Sequence, residues 1–163
     1  MYKNILLTLD GSALAEQAFS HAAALAQTFA ANLHLVRVVV PFNMLMPTTI
    51  EYDLTESYRR DALHEAHQYL HEIEQRARHL GVNRVQTKVV EGVVVDAILD
   101  YANFHGVDLV VMATHGRSGL GRWVFGSVAE RVLHAANVPV MLIRAQLGIP
   151  GPDEARVATQ QER

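Results

Sequence analysis

Between Ala113 and Ser127 four glycines, Gly116, Gly119, Gly121 and Gly126, are interleaved with Arg117, Ser118 and Arg122 in a stretch that leaves an apolar run and ends at a helix start. Residues of this kind let main-chain N–H groups approach an anion closely, and a helix N-terminus adds orphan donors carrying about half a positive charge. The chemistry on offer is therefore phosphate binding by backbone. Ser127 with Glu130 three residues later reads as a capping box that opens the helix. A second polar turn, Asp10-Gly11-Ser12, closes the first apolar run and offers a carboxylate and a hydroxyl. Each turn also has a plainer reading, because Gly126-Ser127 would serve simply to start a helix and Asp10 or Ser12 simply to cap one. Arg117 and Arg122 fit either phosphate contact or a solvated surface.

Other chemistries find less support. Lys3 and Lys88 are the only lysines, neither lies near the glycine-rich stretch, and no Gly-x4-Gly-Lys-[Ser/Thr] motif occurs, which excludes P-loop hydrolysis. No Gly-x-Ser-x-Gly elbow is present. Asp10, Ser12 and His115 form an imaginable nucleophilic set, but their spacing follows no recognised logic. Among nine histidines, His64, His67 and His71 share one side of a helical pattern. They lie opposite its apolar stripe of Ala62, Ala66, Tyr69, Leu70, Ile73, Ala77 and Leu80, so a solvated face is expected rather than a metal site.

The chain has 163 residues, half of them hydrophobic, which suits one domain with a full core. A net charge of -3 and a pI near 6.3 give no reason to expect nucleic acid or an anionic membrane as partner. The absence of cysteine leaves thiols silent about compartment. Met1 leads directly into a strand pattern and the apolar runs are too short to span a bilayer, so neither signal peptide nor membrane segment is expected, and the location expected is cytoplasmic.

Apolar runs alternate with helical patterns, the signature of parallel strands joined by crossover helices. Strands are predicted at 3–9, 32–40, 84–90, 107–113 and 139–143. Helices are predicted from Ser12 to Phe29, from Leu54 to Leu80, from Gly92 to Gly106 and from Ser127 to Ala136. Residues 41–53, with Met44 and Met46, read as a loop that either covers a ligand or merely connects. The domain spans 1–145, and residues 146–163, rich in Gly and Pro without periodicity, are expected to be disordered. Five strands and four helices in this order fit an α/β doubly wound five-stranded parallel sheet with helices on both faces. Gln86, Thr87 and Lys88 suit an edge strand.

The stretch 113–127 resembles the universal stress protein family, whose nucleotide-binding members carry Gly-x2-Gly-x9-Gly-[Ser/Thr] between the fourth strand and the last helix. Gly116, nine residues, then Gly126-Ser127 match the second half, and Ala113 stands where the first glycine belongs. Residues 5–12 (ILLTLDGS) and 137–144 (NVPVMLIR) are similar to the family's first strand and turn and its last strand. The resemblance implies strand order 3-2-1-4-5, a Rossmann-like sheet with a crevice between the first and fourth strands. It implies ATP or another adenine nucleotide as ligand, with Mg2+ bridging the phosphates. Gly116, Gly119, Gly126 and Ser127, with Val128 beside them, would then bring backbone to the phosphates near Arg117 and Ser118. Thr8, Leu9 and Asp10 would form one lip, with Asp10 on the nucleoside side. Met112 and Ala113 would form the other, and Val38 with Met112 would touch the base. At Ala113 the ligand requires either a left-handed residue, where alanine costs about 1–2 kcal/mol, or only a slim one. The family further implies a homodimer through the last strand, here Val140, Met141, Leu142 and Ile143, and a regulatory role with a protein partner. A dimeric interaction module that ignores nucleotide and a slow ATP hydrolase are the alternatives.

Overall fold

The computed structural model describes residues 1–45, 52–114 and 126–144. Strands β1 (Asn4–Leu9), β2 (Asn32–Val39), β3 (Val85–Glu91), β4 (Leu109–Ala113) and β5 (Val140–Ile143) form one parallel sheet in the order β3-β2-β1-β4-β5. The helices among the described residues are α1 (Ala13–Glu16), α2 (Phe19–Phe29), α3 (Phe42–Leu45), α4 (Tyr52–His79), α5 (Val94–Phe104) and α6 (Ser127–Ala135). The tail expected to be disordered lies outside the described residues.

Strand side chains alternate between two cores, as the twofold period of a strand requires. Ile5, Leu7 and Leu9 of β1, Leu33 and Leu35 of β2 and Val111 of β4 meet α1, α2 and α4 through Ala15, Phe19, Ala22, Ala66, Leu70 and Ile73. Leu6, Val36, Val110 and Met112 meet α5 and α6 through Val95, Ile98, Tyr101, Ala129 and Val132 on the other face. Central β1 is thus buried on both sides, whereas on β3 Gln86, Thr87 and Lys88 are exposed at the sheet's edge.

Four local expectations are corrected. The first helix is broken in two, because Gln17 and Ala18 donate to Leu14 and Ala15, three residues back, and tighten the turn between α1 and α2. The segment expected to be loop contains the one-turn α3, and Met44 within it is exposed; Met46 is outside the described residues. Leu80 is not part of the apolar stripe. Gly81 takes a left-handed φ of 87° and reverses the chain, so that Val82 donates to the Ala77 carbonyl at 3.0 Å and is buried instead. The fourth correction, at Ser127, belongs to the site below. His64, His67 and His71 are exposed, opposite the buried Ala66, Leu70, Ile73 and Ala77.

Among the described residues one histidine is buried. His34 of β2 is 3% exposed; its Nδ1 lies 3.0 Å from the Tyr101 hydroxyl, and its Nε2 has no hydrogen-bond partner. Burial first, and the neighbouring His105 second, hold its pKa below the ordinary value. The fold therefore keeps His34 neutral, while the unfolded chain protonates it near pH 6.5. Stability is expected to be complete above that pH and to fall as pH drops from it toward the lower folded-state pKa, by at most about 1.4 kcal/mol per pH unit. Urea unfolding at pH 7.5 and 5.5 checks this, and His34→Gln should flatten the difference; an equal slope in the variant would assign the acid sensitivity elsewhere.

Candidate functional site

Because β1 and β4 are neighbours while their following helices leave to opposite faces, the sheet opens at the carboxyl ends of these strands. A cavity of about 310 Å³ lies there, within the range of small-molecule pockets. Of the residues singled out from sequence, Thr8, Leu9, Asp10, Val38, Met112, Ala113, Gly126, Ser127 and Val128 all line it. Gly116, Arg117, Ser118 and Gly119 lie outside the described residues, as do His115, Gly121 and Arg122.

One wall is the turn after β1. Asp10 Oδ1 accepts from the Ser12 amide at 2.9 Å and the Ser12 hydroxyl at 2.6 Å, and Ser12 Oγ in turn accepts from Ala15 N at 3.1 Å as the α1 cap. The expected helix cap thus forms and, in the same bonds, fixes the Asp10 carboxylate at the cavity's lip. The opposite wall is the end of β4 and the start of α6. Thr114 donates its N–H to the Ile143 carbonyl at 2.9 Å and accepts from Gly126 N at 2.6 Å, so the two ends of the 115–125 stretch are tied to each other and to β5.

At α6 the capping box does not form. Gly126, with ψ at 140°, is the cap and its carbonyl accepts from Glu130 N at 3.0 Å, which makes Ser127 the first helical residue and moves Glu130 one position too far along. The cap residue, a glycine, makes no side-chain cap bond. The first N–H groups of α6 face the cavity mouth, where an anion would find donors. Ala113 is an ordinary strand residue, with Ala30 the only non-glycine at positive φ among the described residues, so alanine carries no left-handed backbone cost at this position.

The floor is apolar and larger than sequence reasoning supplied. Val36, Val94 and Ile98 line it with Ala15, Thr114 and Ala129. Val94 and Ile98 stand four apart at the start of α5, and that spacing, placed over β2 by the crossover, is the signal that would have found them. An apolar floor, one fixed carboxylate and helix-start amides match a flat heterocycle, a hydroxylated middle and an anionic end. The fit to a nucleotide is good. For Mg2+ the described lining offers only the Asp10 carboxylate, one oxygen of which is already bonded to Ser12, so the ion would be held chiefly by phosphate and water.

The sheet order, the two-faced helix packing and the crevice at the switch point define a Rossmann-like α/β domain. The chain belongs to the universal stress protein family, whose model matches residues 1–144. It is 34% identical over 146 residues to universal stress protein MJ0531 of Methanocaldococcus jannaschii, covering 88% of this chain and 83% of that one. Protein MJ0577 superposes with a TM-score of 0.79 at 27% identity, over 90% of this chain and 98% of its own. Two more distant chains share the fold at 22% identity each: a universal stress protein solved with cAMP (TM-score 0.66, covering 89% of this chain and 98% of that one) and one from Archaeoglobus fulgidus solved with dAMP (TM-score 0.65, 88% and 98%).

Proposed function

We propose that this protein binds an adenine nucleotide, ATP or a close relative with Mg2+, and works in the cytoplasm as a homodimeric regulatory module whose nucleotide state sets its association with a protein partner. The observation that carries the reading is the cavity, where an apolar floor of Val36, Val38, Ile98 and Met112 meets the first amides of α6. The base rests on that floor, Asp10 accepts from the sugar hydroxyls, and the phosphates lie toward Gly126 and Ser127; Gly116, Arg117, Ser118 and Gly119 are the further phosphate contacts that the sequence motif proposes. Adenine nucleotides held by other proteins of this fold support the choice of base. A slow ATP hydrolase is the alternative, and steady phosphate release from ATP that is lost in Asp10→Asn without loss of binding would favour it. Isothermal titration with ATP and Mg2+, with mass spectrometry of small molecules released from fresh protein, tests this. Saturable heat and recovered ATP or AMP are expected; no heat at high protein concentration would sink the nucleotide claim.

The dimer is assigned to β5, the short apolar strand at the sheet's edge. All four of its residues, Val140, Met141, Leu142 and Ile143, are only partly buried, which leaves apolar surface beside an open hydrogen-bonding edge. Met141→Lys is expected to convert dimer to monomer by light scattering, and an unchanged mass would point to a different interface.

A further inference from the structure

Behind the turn that carries Asp10, on the face of the sheet away from the cavity, β2 places an arginine in a row of core residues. Leu33, Leu35 and Val39 are buried in that row, and Arg37 among them is 6% exposed. It is paired in register with Leu9 of β1, the residue before Asp10. Its Nη2 contacts Glu65 of α4 at 3.0 Å and its guanidinium lies 5.2 Å from the centre of the Tyr69 ring. Its plane packs on Gly11. A Cβ at that glycine would stand 3.2 Å from both Cζ and Nη1, and Gly11 has a φ of 83°.

A buried cation is costly unless well paired. Here the pairing is thin, because the Glu65 side chain is 67% exposed and Nη1 has no hydrogen-bond partner. A leucine would continue the row more cheaply. What an arginine adds is a flat, rigid plate reaching from α4 to the back of the Asp10-Gly11-Ser12 turn. Glycine is the residue least able to hold a turn by itself. On the cavity side the bonds of Asp10 with Ser12 set the carboxylate within the turn, and a support behind Gly11 sets the turn itself against the sheet.

We propose that Arg37 is a positioning residue for the cavity: its guanidinium, clamped between Gly11, Tyr69 and Glu65, fixes the turn after β1 so that Asp10 faces the ligand. The consequence for affinity rests on the nucleotide reading; the consequence for the turn does not.

The test is Arg37→Met, which keeps the apolar stem and loses the plate, read first by amide hydrogen exchange on the full chain without ligand. The Ser12 amide is expected to exchange about tenfold faster while the Leu7 amide in β1 is unchanged. Arg37→Lys should behave like Arg37→Met, because a lysine keeps the charge and not the plane. Glu65→Ala, at an exposed side chain that holds Nη2, should shift Ser12 exchange in the same direction if Arg37→Met folds poorly. In the same proteins ATP should bind about tenfold more weakly, with no further loss in the double variant carrying Asp10→Asn, as coupled residues require. Unchanged Ser12 exchange, or equal acceleration at Ser12 and Leu7, would overturn the inference whether or not ATP binds. Absence of ATP heat in the unmodified protein would count against the nucleotide reading alone.

Discussion

Gly126→Asp is expected to weaken ATP binding by at least about 100-fold while leaving thermal stability equal or slightly improved. Gly126 is the cap of α6, its φ of -54° and ψ of 140° are open to any residue, and it makes no side-chain cap bond of its own. An aspartate there would accept from the amides of Val128 or Ala129, the bonds a phosphate would otherwise take. It would also set a negative charge against the phosphate. Two like charges about 4 Å apart in a partly solvated site repel by about 4 kcal/mol, more than enough for the stated loss. The helix itself gains, since Asp caps better than Gly by a few tenths of a kcal/mol. Opposite signs for binding and stability make the result hard to produce by misfolding. Gly126→Asn separates the two causes, because it caps without the charge and should lose less affinity. Calorimetric titration and a melting scan on each variant suffice; undiminished affinity in Gly126→Asp would mean that no anion sits at this helix.

That prediction depends on a cap the sequence misplaced, and the reason is instructive. Ser127 and Glu130 have the spacing of a capping box, but Gly126 is held as the cap with its N–H on the Thr114 carbonyl, a contact between residues far apart in the chain that no local pattern contains. The strands were readable because each is an apolar run bounded by polar turns, and the crevice followed once β1 and β4 were neighbours. One helix break was not: the end at Phe29 agrees with the periodicity, although Ala30 takes the left-handed φ of 49° without a glycine, but the interruption at Gln17 and Ala18 has no proline or glycine to mark it. Buried polar residues were hidden in the same way. Arg37 and His34 stand inside a mostly apolar strand, and what they touch, Gly11, Tyr69 and Glu65 for Arg37 and Tyr101 for His34, comes from elements distant in sequence. The alternation of Leu33, Leu35, Arg37 and Val39 did carry the clue for Arg37, since a period of two leaves it on a core face.

Ile98→Ala is expected to cost about 2–5 kcal/mol of stability, and saturating nucleotide is expected to restore much of it. Ile98 is 2% exposed, belongs to the core between α5 and the sheet, and also lines the cavity floor. Truncation therefore removes buried methyl groups and extends the cavity into the core. In a closed core the lost contacts would be irrecoverable except by collapse. Here the void opens into a site that a base can enter, and ligand bound only to the folded state adds stability by mass action, about 2.7 kcal/mol at a hundred times its dissociation constant. Leu70→Ala is the contrast. Leu70 is 1% exposed in the core on the opposite face, away from the cavity, so its variant should show a similar loss and the same ligand increment as the unmodified protein at equal saturation. Ile98→Ala should differ in affinity as well, needing more ATP to reach that increment because its floor has lost contact with the base. Urea unfolding of both variants across an ATP series distinguishes them. If the two variants responded identically, with the same midpoint ATP concentration, Ile98 would be a core residue only and the base would have to rest elsewhere in the crevice.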